Sequence, residues 1–171
     1  FSGRKNQKML ISAMPELPNV VLLLPGRGAL LEDCRTLAQQ KGVVDRVRFP
    51  GFTSNIEQYY RAADLCVSSS RSEGLPFNVM EAMACGLPAV LSDVKGHEDL
   101  VRSGENGLLF PYDDQNAFIR AVKQVTEPAL RVQMSAAAVQ TAVPYGIDAV
   151  FPTLTAIYSQ AISNQPKEVS E

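Results

Sequence analysis

Short, uninterrupted apolar runs recur along this chain, and stretches with helical spacing separate them. The clearest run is Val20-Val21-Leu22-Leu23-Leu24, led by Asn19 and closed by the turn Pro25-Gly26-Arg27-Gly28. A run this short, with no polar alternation, reads as a strand buried on both faces. Arg46–Phe49, Leu65–Val67, Pro88–Leu91 and Gly107–Phe110 repeat the pattern. Lys5–Met14 places Met9, Leu10, Ala13 and Met14 on one helical face, and Pro15 and Pro18 end it. Leu30–Gln40 is predicted helical, with Gly42 just beyond its end. Ser54, with Glu57 three residues later, has the capping-box pattern for a helix through Ala62. Pro76–Cys85 opens on proline and stops at Gly86. A short helix is expected over Gly96–Val101, and longer ones over Ala117–Thr126, Pro128–Ala142 and Ile147–Ile162. This βα alternation predicts an α/β fold: a Rossmann-like, doubly wound parallel sheet with helices on both faces. Such sheets bind ligands at the carboxyl ends of their strands, near a switch point. The loops after Leu24, Phe49, Val67 and Leu91 are therefore where chemistry is expected.

A length of 171 residues fits one domain, expected over 1–162 with a polar tail over 163–171. Hydrophobic residues make up 46% of the chain, which excludes a disordered protein. The formal net charge of −2 lacks the basic excess of a nucleic-acid binder. No apolar run approaches the roughly 18 residues that span a membrane, so a soluble, cytoplasmic chain is expected. Phe1–Ser12 carries Arg4, Lys5 and Lys8 within an amphipathic pattern, unlike a secretory leader. Cys34, Cys66 and Cys85 are irregularly spaced among apolar neighbours and read as buried free thiols. There is no CxxC pair and His97 is the only histidine, so no metal site is expected.

Ser72–Pro88 carries the most chemical information. Gly74 permits close backbone approach, and Pro76 stands near the first helical turn, where its missing N–H costs nothing. The amides of Phe77, Asn78 and Val79 then point back toward the loop and, with the helix dipole, suit a phosphate. Glu81 lies one turn deeper among Met80, Ala82, Met83 and Ala84. A carboxylate there either faces water or meets a partner.

Glu73 and Glu81, with seven residues between them, lie within Glu-Gly-Leu-Pro-Phe-Asn-Val-Met-Glu-Ala-Met-Ala-Cys-Gly-Leu-Pro. This resembles the Glu-x7-Glu signature of the group 1 family of retaining glycosyltransferases with the GT-B fold. The Glu-Ala-Met-Ala-x-Gly-x-Pro continuation makes the match specific. Other pieces follow in the family's order. Lys5-Asn6 resembles the basic residue opening the nucleotide-binding half, and Gly26-Arg27-Gly28 resembles the Gly-x-Gly after its second strand. Val47-Arg48-Phe49-Pro50-Gly51-Phe52 resembles a Val-x-Phe-x-Gly strand end. Ala63-Asp64 precedes its strand as in the family, and Ser92-Asp93 with Gly96 resembles an Asp-x-x-Gly segment. Gly104-Glu105-Asn106-Gly107-Leu108-Leu109 resembles a Gly-x-x-Gly-Leu-Leu segment. The likeness spans about Arg4–Asp114.

The resemblance implies the C-terminal, nucleotide-sugar-binding half of a GT-B enzyme that transfers a sugar with retention from a UDP-sugar or GDP-sugar donor. Glu81 would bind the ribose hydroxyls. Glu73 would lie by the sugar and stabilise positive charge at the anomeric carbon. Lys5 and Arg4 would meet the diphosphate, the backbone near Gly74, Leu75, Phe77, Asn78 and Val79 the terminal phosphate, and Gly26 and Gly28 would also belong to the donor-binding site. The base would lie against the backbone of Arg48 and Phe49. The acceptor would be a growing polysaccharide or a lipid-linked glycan. Fixed cations and a helix end would stabilise the leaving group without a metal. Partners would include an N-terminal domain of the same chain, and the resemblance leaves room for peripheral association at the inner face of a membrane. Only Phe1-Ser2-Gly3 precedes the first helix where the family has a strand, so that strand is expected to be truncated. The isolated chain is then expected to bind donor weakly and transfer nothing.

Some pieces depart from the pattern. Gly26-x-Gly28 is followed by Leu31 where a dinucleotide fingerprint has its third glycine. Asp99 stands where the family commonly has glutamate. His97 reads as a surface residue starting a helix, with a donor contact as the sharper alternative, and Arg71 either orients Glu73 or is solvated. A GT-B nucleotide-sugar epimerase and a non-catalytic nucleotide-binding module are the competing functional readings.

Overall fold

A computed structural model describes residues 1–163. The expected polar tail, beyond Ser163, lies outside the described residues. The strands are β1 (Leu22–Pro25), β2 (Val47–Gly51), β3 (Cys66–Ser68), β4 (Ala89–Ser92) and β5 (Gly107–Phe110). The helices are α1 (Gln7–Ala13), α2 (Leu31–Gln40), α3 (Ile56–Ala62), α4 (Phe77–Ala84), α5 (Gln115–Val125), α6 (Pro128–Ala142) and α7 (Ile147–Ser163). Every strand pairing is parallel. Leu22 stands opposite Val47 in β2, Cys66 opposite Ala89, and Ala89 opposite Gly107.

The strand β4 shows why the sheet is covered on both faces. All four of its residues are buried. Successive side chains point to opposite faces, and Val90 joins a core with Leu10, Ile11, Phe118 and Val122 of α1 and α5. Ala89 and Leu91 join a second core with Val79, Met83 and Ala138 of α4 and α6. This is the doubly wound, Rossmann-like arrangement that the apolar runs predict. The hydrogen-bonded sheet comes in two pieces, however: β1 with β2, and β3-β4-β5.

Two local expectations need correction. Ser54 and Glu57 do not form a capping box: Asn55 precedes α3 without a side-chain cap, and Glu57 pairs with Arg61 at 2.7 Å. Gly96–Val101 is a series of turns rather than a helix. Gly96 has φ +88°, a left-handed conformation that breaks a right-handed helix.

Asn106 ties these turns to α6. It is fully buried; its Oδ1 accepts from Arg102 N–H at 2.9 Å. Its Nδ2 donates to the Leu100 carbonyl at 3.0 Å and to Thr141 Oγ1 at 2.8 Å. Asn106→Ala leaves the buried Leu100 carbonyl unpaired, at a cost of about 1–3 kcal/mol, and also removes the bonds to the less buried Arg102 amide and Thr141 hydroxyl. Urea denaturation should show a loss of at least about 2 kcal/mol, and a loss under about 0.5 kcal/mol would contradict this role.

Candidate active site

The carboxyl end of β3 runs into the serine-rich loop Ser68-Ser69-Ser70, and this loop grips the segment before α1. Ser69 Oγ donates to the Asn6 carbonyl at 2.8 Å, and Arg71 N–H donates to the Arg4 carbonyl at 2.8 Å. Asn6 adopts φ +50°, and its Nδ2 donates to Asp113 Oδ1 at 3.1 Å. This bend presents Lys5 to the loop. Lys5 Nζ lies 2.7 Å from Glu73 Oε1, a charge-assisted hydrogen bond across 68 positions of sequence. The Glu73 side chain is only 6% exposed and that of Lys5 33%. Burial pushes the Glu73 carboxyl up, but the Lys5 ammonium and the nearby Arg4 charge outweigh it and hold the carboxyl below its ordinary range. Glu73 is thus a buried, ionised carboxylate at neutral pH.

The segment after Glu73 offers backbone donors. Among the described residues, the amides of Gly74, Leu75 and Asn78 have no acceptor within the chain. The expected set of three helix-start amides is narrower: Phe77 N–H donates to the Leu75 carbonyl at 3.0 Å and Val79 N–H to the Pro76 carbonyl at 2.9 Å. Leu75 and Phe77 expose their side chains, whereas Val79 is fully buried in the core. Glu81 is exposed on α4, and its Oε2 accepts from the Tyr60 hydroxyl at 3.1 Å. Burial and the Glu81 charge both push the Tyr60 phenol up, so it stays a donor.

A cavity of about 980 Å³ reaches this region, and Lys5, Gly26, Asn78 and Glu81 all line it. Other expected site residues are engaged elsewhere. Gly28 packs against the backbone of Phe1, where a Cβ would lie within 2.1 Å of the Phe1 nitrogen. The Arg48 guanidinium donates to the Val44 carbonyl at 3.2 Å. Phe49 lies between the Phe1 ring, at 6.0 Å, and the Arg35 guanidinium, at 5.0 Å. Arg71 stacks on Tyr112 at 5.8 Å rather than orienting Glu73. Arg4 is exposed beside Lys5.

His97 is not a surface residue: it is fully buried. Gly96 beneath it packs so closely on the Glu73-Gly74 backbone that a Cβ would lie 2.4 Å from the Gly74 oxygen. His97 Nδ1 is 2.9 Å from the Ser92 carbonyl, which can only accept, so Nδ1 carries the proton. Nε2 is buried without a partner among the described residues. Burial pushes its pKa down, offset in part by the Ser92 carbonyl. The unfolded chain therefore binds a proton more readily, and stability rises with pH through this range. The His97 contribution is complete above the unfolded pKa of about 6.5 and is lost as pH falls below it. His97→Gln should flatten the fall in melting temperature between pH 7.5 and 5.5, and an unchanged slope would contradict this.

Tyr60, Ser69 and Ser70 were not marked as site residues from the sequence, and Ser92 only as part of the Ser92-Asp93 segment. The run of three serines after an apolar strand was a usable signal; the Tyr60–Glu81 contact had none, since it depends on how α3 packs on α4.

The chain's sequence matches the family described as "Glycosyl transferases group 1" over residues 1–141. It is 36% identical over 171 residues to EpsD of Bacillus subtilis, a protein named as a glycosyltransferase, covering 97% of this chain and 45% of that protein. Sucrose-phosphate synthase from Thermosynechococcus elongatus superposes with a TM-score of 0.87 at 29% identity, over 95% of this chain and 43% of that one. The structure of Anabaena Alr3699/HepE in complex with UDP superposes with a TM-score of 0.80 at 26% identity, over 95% and 46%. The chain belongs to the group 1 glycosyltransferases, and its fold is that of the C-terminal Rossmann-like half of a GT-B enzyme. It spans less than half the length of these relatives.

Proposed function

We propose that this chain forms the donor half of a retaining glycosyltransferase that takes a nucleoside-diphosphate sugar, a UDP-sugar or GDP-sugar, and passes the glycosyl group to a polysaccharide or lipid-linked acceptor. The observation that carries the reading is the Lys5–Glu73 pair at the carboxyl end of β3, beside the free amides of Gly74, Leu75 and Asn78. Cation, carboxylate and amides are the three groups that a departing nucleoside diphosphate and a developing oxocarbenium ion need together. Lys5, with Arg4 beside it, meets the diphosphate, and the amides hold its terminal phosphate. Glu73 stays ionised and faces the sugar, where negative charge favours the transition state over the ground state. Glu81 and Tyr60 present a carboxylate and a phenol to the ribose, and the backbone at Arg48 and Phe49 flanks the base. The likeness to a UDP-bound enzyme supports a uridine nucleotide as the first donor to try.

In the full-length enzyme, Glu81→Ala should weaken UDP binding by about 10- to 100-fold, the worth of hydrogen bonds to a charged group, while turnover at saturating donor changes little. The reverse, an unchanged UDP affinity with lost turnover, contradicts the ribose role. The anomeric configuration of the product, read by NMR, should match that of the donor; an inverted product contradicts the retaining reading.

A further inference from the structure

Buried polar side chains join the loop after β3 to the loop after β4. His97, Ser92 and Ser70 are fully buried, and Ser69 is nearly so. The His97 Nδ1–H donates to the Ser92 carbonyl at 2.9 Å, and Ser92 Oγ stands 3.3 Å from the same nitrogen. The Ser92 hydroxyl donates its proton to the Ser70 carbonyl at 2.6 Å, so toward His97 its oxygen can only accept. Both oxygens of Ser92 therefore share one imidazole N–H.

From Ser70 the connections lead to the candidate active site. Arg71 N–H holds the Arg4 carbonyl and Ser69 Oγ the Asn6 carbonyl, at 2.8 Å each, on either side of Lys5. Glu73 follows three residues after Ser70. Burial pushes the Glu73 carboxyl up, and the Ser70 hydroxyl joins Lys5 in holding it down. From the other side Gly96, next to His97, packs on the Glu73 and Gly74 carbonyls. His97 thus stands where the two loops meet.

Stability alone does not account for a histidine at this place. Its Nε2 has no partner, alone among the buried side-chain nitrogens and oxygens of the described residues, and an unsatisfied buried acceptor costs about 1–3 kcal/mol. The Ser92 carbonyl does not need His97 either, since it already accepts from Val94 N–H at 2.9 Å. What the imidazole adds is a rigid donor at Nδ1, aimed at the residue that tethers the serine loop.

We propose that His97 is a positioning residue for Glu73 and Lys5: its Nδ1–H fixes Ser92, whose hydroxyl holds the serine loop that carries Glu73 and grips Lys5. What this pair does to a donor rests on the function proposed above; how the pair is held does not.

The test uses the full-length enzyme with His97→Ala, His97→Asn, His97→Gln and Ser92→Ala. Asparagine places an amide N–H near the position of Nδ1–H, glutamine places its amide near Nε2, and alanine supplies neither. Glu73 is followed without donor by carbon-13 NMR of its carboxyl, assigned through Glu73→Gln. In His97→Ala and in Ser92→Ala, Glu73 should titrate at higher pH than in the wild type, because the Lys5 ammonium is no longer held against it. In His97→Asn it should titrate as in the wild type. Turnover should fall about 10-fold or more in His97→Ala and His97→Gln, and His97→Asn should recover most of it. A lower melting temperature in His97→Ala, with Glu73 titrating as in the wild type, shows a packing role and overturns the proposal. So does a shift in His97→Asn as large as in His97→Ala, which traces the effect to the imidazole charge that Glu73 feels. Rescue by His97→Gln and not by His97→Asn overturns it in favour of a contact through Nε2. Where His97→Ala does not fold, Ser92→Ala carries the same comparison. A Glu73 shift in an enzyme that transfers no sugar in any form counts against the donor reading and still supports the positioning of the pair.

Discussion

Replacing Glu73 with glutamine is expected to lower turnover by about 10²- to 10³-fold, the usual loss when one preorganised electrostatic group is removed. The substitution keeps the shape of the side chain and its hydrogen bond with Lys5, now 2.7 Å long, but removes the charge. That charge is present at neutral pH because Lys5 and Arg4 overcome the cost of burial. The loss should fall on turnover, with UDP affinity changed by no more than about threefold, because in the proposed role the charge acts only as positive charge grows on the sugar. Steady-state kinetics of the full-length enzyme, with UDP titration alongside, separates the two. A large loss of UDP affinity with unchanged turnover would place Glu73 in ground-state binding instead.

The second large effect is expected at Gly96, which never needs to touch substrate. At φ +88°, alanine costs about 1–2 kcal/mol for conformation alone. Its Cβ would also lie 2.4 Å from the Gly74 oxygen and 2.9 Å from the Glu73 oxygen, and both are backbone atoms that cannot rotate aside. Overpacking of this kind adds about 1–3 kcal/mol. Gly96→Ala should therefore lower the melting temperature by several degrees, and turnover of the folded fraction should fall about 10-fold or more, since the clash displaces Glu73 itself. Gly104→Ala is the control. Gly104 also has positive φ, but nothing lies within 4 Å of a Cβ there, so it should lose stability while keeping turnover. Equal effects at the two glycines would show that Gly96 matters only for its conformation.

These two residues mark where the sequence was legible and where it was not. Glu73 could be found because its neighbours form a dense local pattern, and the strands because each is a short apolar run between turn residues. Whether Glu81 faces water or meets a partner was left open by the sequence, and the structure gives both: α4 buries Val79, Met80, Ala82 and Met83, while Glu81 is exposed and accepts from Tyr60. The Lys5–Glu73 bond was invisible as a contact, since the residues lie 68 positions apart and meet only through the Ser69 and Arg71 tethers. Gly96–Val101 looks helical, but tertiary packing against Glu73 and Gly74 selects a left-handed glycine and buries His97. The divided sheet was equally hidden. Val20–Leu24 reads as one buried run, yet β1 begins only at Leu22, and Val21, just before it, is 57% exposed.

Binding of a nucleoside diphosphate at the carboxyl ends of the strands is the claim on which the rest depends. Calorimetric titration of UDP and GDP into this chain, and into its Glu81→Ala variant, tests it directly. Saturable binding of one of the two at millimolar concentration or below, weakened about 10-fold or more by Glu81→Ala, is the expected result. No binding of either nucleotide at millimolar concentration, or binding that Glu81→Ala leaves unchanged, would contradict it.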